Sequence, residues 1–291
     1  MPVAPPRQKG PHLNALRAFE SAARLGSFTS AADELGVTAG AIAQHIKTLE
    51  AWAEADLFVR HSRGVDLTAL GEELSTDFTA AFDMMNEAVQ SLRTKGAPHK
   101  IRIATLPSIA QLWLSEKLGR LRQIDANIVV SVMATETPPN LAREPFDVSL
   151  FFRDGEAERD EIVLFPDRIF PVCTPAIAAR LVQFDDLTDE TLLHDSAWSG
   201  DWSLWLASLP TAVRSGQRGP HHSLFSVALE EACNGAGVLM AHEALVQSKL
   251  TSGELVMPFD QKLSLDRKLM MRTTGRFRGS EAYKMLVKAL A

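Results

Sequence analysis

The sequence predicts a small helical head with a two-stranded wing, a long linker helix, and a larger α/β domain. Three observations carry this reading. From about Leu13 to Leu92 the chain is proline-poor and repeats apolar side chains at helical spacing. From Ile101 on, short β-rich runs (Ile101–Thr105, Ile128–Val132 and Val148–Phe152) alternate with helical stretches. Between the two regimes, Lys95-Gly-Ala-Pro98 ends a helix and begins a hinge.

The 291 residues, 46% hydrophobic and 23% charged, suffice for two domains with separate cores. No apolar stretch approaches the length needed to span a bilayer, and Met1–Pro11 lacks the apolar centre of an export signal. A cytoplasmic protein with no membrane partner is expected. The two cysteines, Cys173 and Cys233, stand in no metal-like spacing and fit a reducing compartment. A formal net charge of −6 argues against a strongly basic nucleic-acid binder. It does not exclude DNA, because affinity depends on a few cations placed opposite phosphates.

In the head, Leu13, Leu16, Phe19, Ala22 and Ala23 share one helical face, and Gly26 follows as a left-handed cap. Ser27 is a candidate N-cap for a short helix, Phe28 to Leu35, whose alanines let the next helix cross closely after the Gly36-Val37 turn. Thr38 caps the third helix, which turns Ile42, Ile46 and Leu49 inward. Its other face, with Ala39, Gly40, Ala43, Gln44 and Lys47, is the candidate reader of a DNA major groove. Two short strands around His61-Ser-Arg-Gly64 then form a wing, with Arg60 and Arg63 placed for phosphates or the minor groove. Up to Leu67, seven basic residues are matched by seven acidic ones, so few phosphate contacts are expected.

Thr68 opens the linker helix, and Leu74, Phe78, Ala81, Met85, Ala88 and Leu92 recur along it at spacings of four and three. Such a seam calls for a partner helix, and the head alone is too small to bury it. Leu74, Phe78, Ala81, Met85 and Leu92 are therefore expected to dimerise the protein with a second copy, parallel or antiparallel.

The ordered run Leu16-Arg-Ala-Phe19, Gly26-Ser-Phe-Thr with Ala31-Ala32 and Leu35, Gln44 with Ile46-Lys47 and Leu49-Glu50, Leu57-Phe58 with Arg60, and Arg63-Gly64 with Leu67-Thr68 and Gly71 resembles the head of LysR-type regulators. The resemblance spans most of the first ninety residues and implies a winged helix-turn-helix that binds DNA through Thr38, Ala39, Gly40, Ala43, Gln44, Lys47, Arg60 and Arg63. Three positions depart from the family's pattern. Ala39 and Gly40 replace the usual polar residues, Ala43 replaces a frequent Ser, and Glu54, near an unusual Trp52, replaces the glycine after the third helix.

The second part resembles the effector domain of the glycine-cleavage-activator and beta-lactamase-activator branch of that family. The matching residues are Ile101-Arg-Ile with Thr105-Leu-Pro-Ser108, Phe146 to Leu150, Phe170-Pro-Val-Cys173 with Pro175, Leu192-Leu-His-Asp195, Trp205-Leu206, and Ala232 to Val238. The resemblance implies a periplasmic-binding-protein-like (type 2) fold of two α/β subdomains with a cleft between them. The chain would cross near Phe165 and return near Leu269. The expected boundaries are 1–67 for the head, 68–95 for the linker, about 99–163 with 269–291 for one subdomain, and about 164–268 for the other.

Physical chemistry supports a ligand at that cleft. The first strand runs through Leu106, Pro107 and Ser108 into a helix, so free backbone amides and a positive dipole end face the sheet's carboxyl edge. Across the cleft, His221-His222-Ser223 precedes a second helix, Leu224 to Asn234, with Ser223 as its cap. Two such ends suit a small carboxylate or amino acid. Thr135 and Phe152 would complete the walls. Ser108 and Ser223 serve equally as plain helix caps, and His221 and His222 as surface residues or, when protonated, anion partners. Trp198, Trp202 and Trp205 pack the second subdomain, with Trp202 the candidate for cleft contact.

No Gly-x-Ser-x-Gly elbow, P-loop, zinc signature or dinucleotide fingerprint occurs, so neither an enzyme, a cofactor nor a metal is expected. The resemblance implies promoter DNA and a small-molecule effector as partners and self-association to a dimer and tetramer, with RNA polymerase a candidate partner. Two rival readings are a regulator whose head is degenerate or partner-dependent, and a cytoplasmic small-molecule binding protein without DNA function.

Overall fold

The computed structural model describes residues 10–61, 64–96, 99–210 and 219–290. The chain divides into two compact units between Leu92 and Arg93.

The first unit holds α1 (Leu13–Leu25), α2 (Phe28–Leu35), α3 (Ala39–Ala53), the strands β1 (Phe58–His61) and β2 (Gly64–Leu67), and α4 (Ala69–Gly96), which carries the chain toward the second unit. Local chemistry sets each boundary. Gly26 and Gly36 adopt left-handed conformations at φ 63° and 66°, ending α1 and α2. The Ser27 hydroxyl accepts from the Ser30 amide, and that of Thr38 from Ala41. Glu54 ends α3 at φ 52°, the one non-glycine residue at positive φ among the described residues.

Ala18, Phe19, Ala22, Ala31, Ile42 and Ile46 are fully buried in one cluster. Phe19 meets Phe58 of the wing edge-on at 5.8 Å and Phe78 of α4 at 5.3 Å. The wing is anchored from below, because the Glu50 carboxylate accepts from the amides of Leu57 (2.9 Å) and Phe58 (3.1 Å). α4 starts flush against it: a Cβ on Gly71 would lie 2.4 Å from the Leu57 carbonyl oxygen.

The start of the α4 seam also touches the head. Leu74 and Phe78, expected to face a second copy, pack onto the head's own cluster. The aromatic ring of Phe78 fills the side of Phe19 that three short helices leave open. Ala81, Met85 and Leu92 are exposed, as are Met84 and Val89, so the apolar stripe without a partner in this unit begins one turn later than the periodicity suggests.

The second unit is built on a single mixed sheet of eight strands. In chain order these are β3 (Lys100–Thr105), β4 (Val129–Ala134), β5 (Val148–Arg153), β6 (Glu161–Val172), β7 (Leu192–Asp195), β8 (His221–His222), β9 (Val238–His242) and β10 (Leu263–Thr273). Across the sheet they run β4-β3-β5-β10-β6-β9-β7-β8. The two longest strands, β6 and β10, pair antiparallel with Leu269 opposite Phe165 and serve both halves. β10 meets β5 over Lys268–Thr273, and β6 meets β9 over Ile169–Val172.

Helices cover this sheet. α5 (Pro107–Ile109), a π-helical turn (Ala110–Leu114) and α6 (Ser115–Ile124) follow β3 as one continuous rod. α7 (Pro175–Ala178), α8 (Asp201–Ala207), α9 (Phe225–Cys233) and α10 (Glu243–Ser252) belong to the middle of the chain, and α11 (Gly275–Arg278) and α12 (Glu281–Leu290) follow β10. Burial pushes the free thiols of Cys173 and Cys233 up, to about 12 and about 11, as suits structural rather than reactive cysteines. Among the described residues, no helix is long and apolar enough to cross a membrane, and no cluster of His, Cys, Asp and Glu could hold a metal.

Candidate functional site

On the head, Thr38, Ala39, Gly40, Gln44 and Lys47 are exposed and Ala43 is half-buried, while Ile42, Ile46 and Leu49 on the opposite side of α3 are buried. The side expected to read DNA is thus the solvent side. Arg60 lies in β1 opposite Val65, and Arg63 lies outside the described residues. Beside this face, His12, Leu13, Asn14 and Ala15 at the start of α1 line a groove of about 400 Å³ together with Gln44, His45 and Thr48 of α3. His12, Asn14 and His45 escaped the sequence reading. They belong to the polar side of α1's start and to α3 one step from Gln44, a juxtaposition that only the crossing of the two helices creates.

In the second unit, Leu106, Pro107, Ser108, Glu136, Asp195, Ala197, Trp198, Ser223, Leu224 and Phe225 surround one small cavity at the strand ends. It measures about 20 Å³, room for one water. The predicted corner at Leu106, Pro107 and Ser108 therefore does meet Ser223 and the start of α9. Ser108 is 7% exposed, and its hydroxyl has no hydrogen-bond partner among the described residues. Ser223 lines the cavity but does not cap α9, whose N-cap is Leu224 with no side-chain hydrogen bond.

Four expected wall residues, Trp202, His222, Thr135 and Phe152, do not line the cavity. Trp202 is 1% exposed in a separate core cluster, where its Nε1 donates to the Leu193 carbonyl at 3.0 Å, so it cannot reach the cavity; Trp198 lines it instead. α8 begins only at Asp201, which turns Trp202 inward and leaves Trp198 on the preceding loop. His222 pairs with the sheet opposite Asp195 and sets its Nε2 3.3 Å from the Glu231 carboxylate, toward its own helix. Thr135 spends its hydroxyl on the Thr137 carbonyl, and Glu136 supplies the wall. Phe152 stands one layer behind, its ring 5.8 Å from that of Trp198 and 5.7 Å from His242. His221 stacks on His194 at 4.4 Å.

Electrostatically the cavity is acidic. Asp195 ends β7 and is 8% exposed; its carboxylate accepts from the Ala197 amide at 2.7 Å, and burial pushes it above the usual carboxylate range. Behind Trp198 lies a buried ionic network that the sequence did not announce. His242 Nδ1 is 3.1 Å from both oxygens of Asp167, and Arg267 bridges Asp167 and Asp201 at 2.7 Å each. Burial alone would raise the Asp167 carboxyl, but the hydrogen bond and charge of His242 and the charge of Arg267 outweigh it and hold it below its ordinary value. The His242 ring lies 3.9 Å from that of Trp198, and the Arg267 guanidinium sits over Trp198 at 5.7 Å. The network thereby fixes the indole that walls the cavity.

Residues 13–72 match the family model of the bacterial regulatory helix-turn-helix protein, lysR family, and residues 94–290 match the LysR substrate binding domain. The glycine cleavage system transcriptional activator of Escherichia coli K12 is 33% identical over 257 residues, covering 87% of this chain and 84% of that protein. The transcriptional activator AmpR of Rhodobacter capsulatus is 33% identical over 261 residues, covering 88% of each. Among solved structures, the AmpR effector-binding domain of Citrobacter freundii superposes with a TM-score of 0.55 at 22% identity, over 66% of this chain and 96% of that one. CrgA, a LysR-type regulator of Neisseria meningitidis, gives 0.53 at 17% identity over 98% and 100%. The chain belongs to the LysR family of DNA-binding transcriptional regulators, with a helix-turn-helix domain ahead of an effector-binding domain of two subdomains.

Proposed function

We propose that this cytoplasmic regulator converts occupation of the small cavity at Ser108, Asp195, Trp198 and Ser223 into a change in the geometry of a DNA-bound oligomer. The effector is a small carboxylate or an amino-acid-like molecule, held between the start of α9 and the corner that opens α5. The observation that carries the reading is the size of the cavity. With room for one water, the walls must part for any larger molecule, so an effector selects a form of the domain different from this one. Ala81, Met84, Met85, Val89 and Leu92 supply an apolar stripe on α4 for a second copy, and the dimer, or a tetramer built from it, delivers paired heads to promoter DNA. Thr38, Ala39, Gly40, Gln44 and Lys47 then face the groove, and the oligomer's spacing sets the bend of the duplex.

The test is gel retardation and DNA-bending analysis with the DNA upstream of the protein's own gene, alongside thermal-shift screening against carboxylates, amino acids and cell-wall peptides. Replacing Ser108 by Trp is expected to abolish the ligand response and leave DNA retention intact. Loss of both together would refute the division of labour. Absence of specific retention at low salt would favour a head that needs a partner, the reading to which the small, apolar Ala39, Gly40 and Ala43 lend themselves.

A further inference from the structure

The charge of the cavity wall narrows the effector further. Asp195 and Glu136 both line it, while among the described residues no Lys, Arg or His does. The basic side chains behind Trp198 are already engaged: Arg267 bridges Asp167 and Asp201, and His242 is bonded to Asp167. Glu136 makes no ion pair or hydrogen bond among the described residues and is exposed; Asp195 is nine-tenths buried and bonded only to backbone amides. Ser108, also nine-tenths buried, offers a hydroxyl with no partner among the described residues. A plain carboxylate entering here would meet two like charges and no side chain to neutralise them. A molecule that also carries an ammonium would meet two carboxylate acceptors.

We infer that the effector is a zwitterionic amino acid whose ammonium is taken by Asp195 and Glu136, with Ser108 and the backbone amides at Leu224 and Phe225 left for its carboxylate. This rests on the reading of the cavity as the effector site. Its small size restricts the ligand to a compact side chain, since every added atom requires the walls to part further.

Isothermal titration and thermal shift on the full-length chain test it, using the small α-amino acids of both hands, each beside the carboxylic acid that lacks its amine and the amine that lacks its carboxylate. An amino acid is expected to raise the melting temperature while its deaminated acid does not. Asp195→Asn, which keeps an acceptor for the Ala197 amide, is expected to weaken its binding about tenfold or more, and Glu136→Gln about fivefold. Glu136→Gln alters an exposed side chain without internal bonds and so keeps the fold, which its unchanged melting temperature verifies. If a carboxylic acid binds as well as its amino acid, or if both variants leave the affinity unchanged, as binding in the wider groove of about 710 Å³ near Trp113 and Gln247 would do, the inference falls and the effector-domain assignment stands. If nothing in the panel binds, the inference and the proposed cavity fall together.

Discussion

A methyl group at residue 71 would stand 2.4 Å from the Leu57 carbonyl oxygen and 3.0 Å from a Leu67 methyl, so Gly71→Ala must push the first turn of α4 away from the wing. Overpacking of this kind costs about 1–3 kcal/mol. The expected outcome is a lower melting temperature of the head, measured by circular dichroism, with weaker DNA retention as the wing shifts. Glu54 poses the opposite case. It holds φ at 52°, where a Cβ is strained and glycine is not. Glu54→Gly is expected to stabilise the head by about 0.5–1 kcal/mol, and a melting temperature equal to or below the parent's would contradict this. The sequence displays both residues, one as a match to the family pattern and one as a departure. Only the backbone conformation explains why the first is required and the second tolerated at a cost.

Local signals made the helices of the head legible, because a cap or a left-handed glycine acts on residues two to four positions away. Ser27, Thr38, Gly26 and Gly36 all perform as their chemistry demands. The cavity was half legible for the complementary reason. Leu106, Pro107, Ser108 and Ser223 sit at element ends that periodicity finds, whereas Glu136, Asp195 and Trp198 converge from a loop, a strand end and a pre-helical turn far apart in sequence. Likewise Leu74 and Phe78 belong to a seam by spacing, but which partner covers them depends on where α4 leaves the wing. The network of Asp167, Asp201, His242 and Arg267 ties β6, α8, β9 and β10 together and is invisible to pattern reading. Asp167→Asn removes a buried carboxylate from its partners Arg267 and His242 and is expected to cost about 3–5 kcal/mol at neutral pH. The folded-state carboxyl is held low, so its contribution is present above the unfolded value and disappears as the pH falls through the folded one. The difference in melting temperature between parent and variant should therefore shrink as the pH is lowered below about 4, and a constant difference would show that the charge of Asp167 is not what matters.

At the scale of the molecule, charge decides how this protein meets DNA. The chain carries 36 acidic against 30 Lys and Arg residues, and the stretch up to Leu67 is balanced at seven each, so no long-range field draws it onto a duplex. Attraction must come from a few cations in register with phosphates. Lys47 is exposed on the solvent side of α3, Arg60 belongs to β1, and Arg63 is an expected contact outside the described residues; a dimer would present each of the three twice. Each neutralised phosphate contributes roughly 0.9 to the slope of log affinity against log salt, so about six contacts give a slope no steeper than about −5, against roughly −10 for a strongly basic repressor. Fluorescence anisotropy of a labelled operator across a potassium chloride series measures it. A slope near −10 would mean about eleven phosphate contacts, more than two copies of Lys47, Arg60 and Arg63 provide, and would extend the binding surface beyond α3 and the wing. A shallow slope with specific retention leaves discrimination to geometry: the exposed Gln44 and Lys47 on each head, and the spacing that the proposed pairing of α4 would impose on them.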